Sequence, residues 1–172
     1  ITLSGTNGIT LYNAGKTITI EVTFNRDVVV TGTPVLQINI GKEKQINFNN
    51  NNDDAKKLQF IYTVSSGDND LKGISILKDN LFLNGGTIQD KAGNAANTTF
   101  STVPNNASFK IDTTAPTMKK KYTADGGKLP AYSTIIFDFD KDIKYNQNGI
   151  TLKLPDNTTV DTDTGLKYKI KE

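Results

Sequence analysis

Apolar and polar residues alternate one by one along much of this chain, and this two-residue period constrains its fold more than any other feature. Between Thr17 and Phe24, the apolar residues Ile18, Ile20 and Val22 are separated by single polar residues. Successive side chains of a β-strand point to opposite faces, so this pattern predicts a strand with one buried face in an antiparallel sheet. The 3.6-residue period of an amphipathic helix is not seen. The alternation therefore indicates an all-β fold.

Further alternating segments follow, separated by residues that favour turns. The predicted strands cover residues 35–40, 45–48, 58–64, 74–76, 80–83 and 107–112. Turn signals lie between them at Gly32–Pro34, at Asn84–Gly86 and at Asp90–Asn94. Roughly seven or eight short strands with frequent turns are typical of a β-sandwich.

An internal repeat divides the chain into two copies. Residues 24–28, Phe-Asn-Arg-Asp-Val, return 115 residues later as Phe-Asp-Lys-Asp-Ile at 139–143. An offset of this size corresponds to one sandwich domain. We therefore predict a complete β-sandwich over residues 1–112 and the N-terminal part of a second one over residues 113–172.

The second copy has no counterpart of residues 71–112. Its alternating residues at 166–170 are expected to take the place of residues 58–62 in the first copy. The missing strands are expected to lie outside this sequence or to come from another chain, because a half sandwich exposes a sheet edge and half a core. The chain begins within a predicted strand at Ile1, so we expect it to be a piece of a longer protein.

The junction between the copies is short and contains no glycine. Pro116 fixes its own φ angle and pushes Ala115 toward an extended conformation. Such a link is expected to hold neighbouring domains in a narrow range of orientations, unlike a Gly/Ser tether. A series of such units would form a stiff rod.

The composition argues against several classes of function. The chain has no Cys and no His, so it lacks thiol chemistry, cysteine-based zinc sites and the commonest general base near neutral pH. We predict that it is not an enzyme. Net charge is only +2 and Arg26 is the sole arginine, which argues against nucleic-acid binding. No segment is apolar and long enough to predict membrane insertion.

Several segments resemble the bacterial immunoglobulin-like (Ig-like) repeats of large cell-surface adhesins. They are Asp-Thr-Thr-Ala-Pro at 112–116, Gly-Gly-Thr-Ile-Gln-Asp-Lys-Ala-Gly-Asn at 85–94 and Asn-Ala-Gly-Lys-Thr-Ile-Thr-Ile at 13–20. The resemblance covers residues 1 to about 116, and residues 136–143 are similar to a related Ig-like class. It implies an all-β fold of tandem Ig-like β-sandwiches, the second incomplete.

The same resemblance implies an extracellular location on a bacterial cell surface. There the chain would be a structural or adhesive stalk segment that spaces or presents a binding region. Its expected partners are neighbouring Ig-like repeats of the same longer chain, with a host-surface or glycan ligand as a further candidate. The alternative is a carbohydrate-binding accessory module of a secreted enzyme.

Calcium is the one cofactor that the sequence suggests. This ion prefers carboxylate, amide and carbonyl oxygens, and such groups cluster in the loop 66–70, around the turn at 90–94 and at the junction. The candidate ligands are Asp68, Asp70, Asp90, Asn94 and Asp112. Related adhesin repeats carry calcium at domain junctions, which supports this hypothesis. The alternative is that these side chains form Asx-turns and cap their own backbone.

The ligand-binding residues are unknown from the sequence, and three weaker signals have ordinary structural explanations. Lys119–Lys121 is the only basic run; it would contact anionic glycans or lipids, or else protect an edge strand from aggregation. Tyr12, Tyr132 and Tyr145 are expected in loops, where they would stack on sugars or pack at corners. The pair Arg26–Asp27 is expected to be solvated in a turn.

Overall fold

The computed structural model describes residues 1–6, 8–50, 54–120, 134–143 and 167–171. It divides the chain into two compact units, Ile1–Thr114 and Ala115–Glu172. The described residues form strands and a single 3₁₀ turn, with no α-helix among them. The predicted all-β class is confirmed.

The strands of the first unit are short and number eleven within the described residues. In chain order they are β1 (Thr2–Gly5), β2 (Leu11–Tyr12), β3 (Thr17–Thr23), β4 (Val29–Thr31), β5 (Val35–Asn39), β6 (Glu43–Asn49), β7 (Lys57–Thr63), β8 (Asn69–Asp70), β9 (Leu81–Phe82), β10 (Thr87–Gln89) and β11 (Lys110–Asp112). Six of them form one antiparallel sheet in the order β1-β3-β7-β6-β5-β9.

One face of this sheet is buried because its strands pair with their apolar residues in register. Ile20 of β3 lies opposite Phe60 of β7, and Leu36 of β5 lies opposite Ile46 of β6. All four side chains belong to the core. The strand predicted from the alternation after Thr17 is confirmed, with its three isoleucine and valine residues buried.

The opposite layer consists of two smaller sheets. One pairs β10 with β4, and the other has the order β2-β11-β8, in which β11 runs parallel to β2 and antiparallel to β8. Ile88 of β10, Tyr12 of β2 and Ile111 of β11 pack into the same core as the six-stranded sheet. Two layers around one core are consistent with a β-sandwich.

Three local predictions differ from the structure. The segment 74–76, predicted as strand, forms only isolated bridges, from Ser75 to Asn39 and from Ile76 to Val103. The segment Ala107–Phe109, predicted as strand, is a 3₁₀ turn, because the side chain of Asn106 accepts a hydrogen bond from the Ser108 backbone N–H. The loop predicted at 66–70 ends in strand β8, which pairs with β11. A two-residue strand made of Asn and Asp has no local signal, since its partner lies about 40 residues further along the chain.

The described part of the second unit is a sheet of β12 (Met118–Lys120), β13 (Thr134–Phe139) and β14 (Lys167–Lys171). Strand β12 is antiparallel to β13, as β1 is to β3. Strand β14 is parallel to β13, whereas β7 is antiparallel to β3. The expected correspondence of residues 166–170 with 58–62 is therefore wrong in strand direction. The 27 residues from 140 to 166 are enough for the crossover that a parallel pairing requires. That the second sandwich is incomplete stays a prediction.

Candidate functional site

The five predicted calcium ligands lie at two opposite ends of the first unit. Strands β3 and β7 pair along their whole length, from Thr17 opposite Thr63 to Thr23 opposite Lys57. Asp68 and Asp70 follow the end of β7 near Thr63, and Asp112 pairs with Asn69 beside them. We call this the clasp end, after the hydrogen bonds that Thr113 makes there.

Asp90 and Asn94 lie instead beside Arg26, which follows the other end of β3. We call this the groove end. A seven-residue strand is about 23 Å long, so the two groups of predicted ligands cannot share one ion.

At the clasp end, Asp68 is the centre of a buried charge cluster. Its side chain is only 1% exposed. Oδ2 accepts hydrogen bonds from the Tyr62 hydroxyl and from the Ser65 backbone N–H, the latter at 2.9 Å. Oδ1 lies 2.9 Å from Lys42 Nζ and 3.4 Å from Lys44 Nζ. The cluster joins the loop before β6, strand β6 and strand β7 to the loop after β7.

The protonation states in this cluster are fixed near neutral pH. Burial alone would raise the pKa of Asp68, but the hydrogen bond from Tyr62, the ion pair with Lys42, the hydrogen bond from Ser65 and the charge of Lys44 outweigh it and hold that pKa well below its usual range. Burial, together with the contact to Asp68, raises the pKa of Tyr62. Asp68 is therefore ionised and Tyr62 is protonated. The charged Asp68 and the neutral Tyr62 hydroxyl suit the hydrogen bond that joins β7 to the loop after it.

Gly41 lets the loop between β5 and β6 come close enough to build the cluster. Its φ angle is +78°, a conformation that favours glycine. A Cβ atom at this position would lie 2.6 Å from the backbone oxygen of Asn69. Any larger residue would push this loop, and with it Lys42, away from Asp68.

Hydrogen bonds also fix the last residues of the first unit to the loop 66–69, in an arrangement that we call the Thr113 clasp. The Thr113 hydroxyl accepts a hydrogen bond from the Gly67 N–H and donates one to the Asp68 backbone oxygen, both at 2.9 Å. Asn69 Oδ1 accepts from the Thr113 N–H at 3.0 Å and from the Thr114 hydroxyl at 3.2 Å. The chain therefore leaves the first unit in a defined direction.

The other predicted ligands at the clasp end accept backbone N–H groups. Asp70 is buried, and its Oδ1 accepts from Lys72 N at 3.0 Å and from Gly73 N at 3.2 Å. Asp112 Oδ1 accepts from Thr114 N at 2.9 Å. These contacts are the Asx-type capping that the sequence left as the alternative to calcium.

At the groove end, Asp90 organises its own turn. Its Oδ1 accepts from the backbone N–H groups of Ala92 and Asn94 at 3.0 and 2.9 Å. The Asn94 side-chain amide lies within 3.2 Å of both carboxylate oxygens. Bonds from the Asn94 side chain and backbone lower the pKa of Asp90 below its usual value. Asp90 and Asn94 thus lie together, as predicted, and they hydrogen-bond to each other.

Arg26 and Asp27 were expected to be solvated turn residues, and their side chains are 66% and 44% exposed. Each also forms an ion pair across the groove end, which was not predicted. Arg26 NH1 lies 3.4 Å from Asp90 Oδ2, and Lys91 Nζ lies 3.4 Å from Asp27 Oδ2. Each pair joins residues 64 positions apart. Nothing in the sequence indicates this pairing, because adjacent opposite charges suggest only a local contact.

Two adjoining grooves open at this end around Arg26 and Asp90. The larger has a volume of about 510 Å³ and the smaller about 460 Å³. Both are lined by Asn25, Arg26 and Asp90. These grooves were not predicted from the sequence.

Calcium binding stays a prediction. Within the residues that the structure describes, no three His, Cys, Asp or Glu side chains come together in a way that could hold a metal ion. The four predicted carboxylates accept N–H or O–H donors or face lysines, as described above, so an ion would have to displace these partners.

The tyrosines and the lysine run singled out in the sequence lie in different settings. Tyr12 was expected in a loop but lies in strand β2. It is 1% exposed and stacks on Phe109 with ring centroids 5.8 Å apart, so it packs in the core and is not available for sugar stacking. Tyr132, Tyr145 and Lys121 lie outside the described residues. Lys119 is exposed on β12, an outer strand of its sheet as described, which suits a residue that protects an edge.

Comparison of this chain with models of protein families, with curated proteins and with solved structures gave no match. The resemblance to adhesin repeats therefore rests on the sequence segments quoted above. In the part of the chain that is described, no helix has the length and apolar character needed to cross a membrane.

Proposed function

We propose that this chain is a segment of a structural or adhesive stalk on a bacterial cell surface, where it spaces or presents a binding region. The observation that supports this role best is the Thr113 clasp, which fixes the last residues of the first unit to the loop after β7. A spacer must transmit orientation and tension from one unit to the next. Hydrogen bonds that hold Thr113 and Thr114 in place would serve both purposes.

The strand arrangement near the ends of the unit also suits a chain under tension. Strand β11 pairs with β2 on one side and β8 on the other, and β2 runs parallel to β11. When the two ends of the chain are pulled apart, paired parallel strands near those ends are drawn in opposite directions along their length. Their hydrogen bonds are then strained together and do not open one at a time.

Single-molecule force spectroscopy tests the proposal. The complete chain would be placed between two well-characterised handle domains and stretched. We expect the first unit to unfold in one abrupt step that releases about 400 Å of chain, from 114 residues at about 3.6 Å each. Gradual extension at low force, without a distinct step, would contradict a tension-bearing role.

Two threonine variants provide the matched comparison. Thr113→Val removes the hydroxyl of the clasp and is expected to lower the unfolding force. Thr63→Val makes the same chemical change at an exposed position of β7 and is expected to leave the force unchanged. Equal forces for the two variants would show that the clasp does not carry tension.

A further inference from the structure

The guanidinium group of Arg26 is exposed and incompletely paired. Its side chain is 66% exposed, and among the described residues only Asp90 lies within ion-pair distance, at 3.4 Å from one nitrogen. Asp90 already accepts hydrogen bonds from Ala92 and Asn94. Arg26 therefore keeps donors for a further acceptor, and a guanidinium group binds a carboxylate well through two parallel hydrogen bonds.

The charges around the two grooves favour an anionic ligand. Three cationic side chains, Arg26, Lys56 and Lys91, and two acidic ones, Asp27 and Asp90, line them. Both acidic groups already face a cation. Lys56 is exposed and has no ion pair among the described residues, and Lys91 is 78% exposed. The grooves therefore carry one excess positive charge next to Arg26.

The walls of the larger groove also offer fixed partners for hydroxyl groups. Asn97 Oδ1 accepts hydrogen bonds from the Thr99 N–H and hydroxyl, which leaves its NH₂ group as a donor. Asn94 directs its NH₂ group to Asp90, which leaves its side-chain oxygen as an acceptor. Phe24 and Val28 add an apolar surface that matches the C–H face of a sugar ring.

From these contacts we infer that the grooves around Arg26 bind an acidic saccharide, whose uronic-acid carboxylate pairs with the Arg26 guanidinium while its hydroxyls bond to the asparagine amides. A volume of about 510 Å³ is in the usual range for small-ligand sites, and the adjoining groove has room for further sugar units. The inference does not depend on the stalk role, since either a stalk unit or an accessory module can carry such a site.

Titration of the complete chain with trigalacturonate tests this inference, followed by calorimetry and by amide chemical shifts. We expect saturable binding, with shifts confined to the groove end. A neutral galactose trisaccharide of the same length is expected to bind at least tenfold more weakly. No binding at millimolar trigalacturonate, or equal binding of the neutral sugar, would overturn the inference.

Charge-removing variants distinguish a site from general attraction. Arg26→Gln is expected to weaken binding at least tenfold while leaving Tm unchanged, since the side chain is mostly exposed. Lys78→Gln removes the same charge at a position that lines neither groove and is expected to change affinity less than twofold. Equal losses of affinity in the two variants would show that the binding is nonspecific electrostatic attraction. Tighter binding of a hexaglutamate peptide than of the saccharide would show that the groove recognises acidic peptides instead.

Discussion

The hydroxyl of Tyr62 donates a hydrogen bond to the buried carboxylate of Asp68, and this contact ties the end of β7 to the loop that follows it. Lys42 and Lys44 balance the charge of the same carboxylate from the neighbouring strand and loop. The Asp68 backbone oxygen in turn accepts from Thr113. Through its side chain and its backbone oxygen, Asp68 therefore contacts both β7 and the last residues of the first unit.

Replacement of Asp68 by Asn should destabilise the first unit. The variant keeps the size of the side chain but leaves Lys42 and Lys44 close together without their anion. We expect the free energy of unfolding at pH 7 to fall by about 2 kcal/mol, the typical loss for hydrogen bonds to a charged group. Urea denaturation measures this. Glu43→Gln removes a negative charge at an exposed neighbouring position and should cost less than about 0.5 kcal/mol; an equal loss would contradict the role of the cluster.

The same cluster predicts how stability depends on pH. The pKa of Asp68 is lower in the folded state than its unfolded value of about 3.9, so its contribution is present above about pH 4 and is lost as the pH falls toward the folded pKa. The pKa of Tyr62 is raised above its unfolded value of about 10. Its contribution is present below about pH 10 and is lost as the pH rises toward the folded pKa.

Thermal denaturation between pH 2 and pH 11 checks both limits. Asp68→Asn is expected to flatten the acid side of the stability curve, and Tyr62→Phe the alkaline side. Parallel curves for the wild type and both variants would show that other groups set these limits.

The strands of the first unit could be predicted from the sequence because alternation reports burial directly. Ile18 and Ile20 had to lie on one face of a strand whatever the strand paired with. The short strands β2, β4, β8 and β10 were not predicted, since each has two or three residues and is fixed by a distant partner.

The sites were less predictable, because their chemistry depends on contacts between distant residues. Asp68 was singled out as a metal ligand from its acidic neighbours, whereas its actual partners include Lys42 and Lys44, more than 20 positions away. Arg26 was expected to be a solvated turn residue, and its ion pair with Asp90 was not predicted. Composition and spacing identify candidate atoms, but the pairing of the strands decides which of them meet.

Replacement of Asp90 by Ala should lower Tm without any involvement of calcium. The variant loses the acceptor for the N–H groups of Ala92 and Asn94, and these bonds need no ion. We expect the same decrease in Tm in EDTA and in millimolar calcium. A Tm of the wild type that rises with calcium, together with a variant that does not respond, would instead support the predicted calcium site.

Isoleucine replacements on two strands of the six-stranded sheet test the position of the core. Ile38 is 1% exposed on β5, whereas Ile61 on β7 is 39% exposed. Ile38→Ala is expected to cost about 2–5 kcal/mol of unfolding free energy, because it removes buried methyl groups and leaves a cavity. Ile61→Ala is the matched change and should cost less than about 1 kcal/mol. Similar losses at both positions would contradict the assigned buried face.

Removal of the Thr113 hydroxyl should loosen the exit segment locally. In Thr113→Val, the Gly67 N–H loses its acceptor and the Asp68 backbone oxygen loses a donor, so we expect a loss of about 1–2 kcal/mol. Hydrogen exchange at the Gly67 amide should become faster. Exchange in the centre of β3 should change only by the amount that the change in global stability accounts for. Thr113→Ser keeps the hydroxyl and should restore protection at Gly67, which separates the hydrogen bond from the packing of the methyl group. Unchanged exchange at Gly67 in Thr113→Val would mean that the clasp contributes nothing to the order of this segment, and the stalk proposal would lose its main structural support.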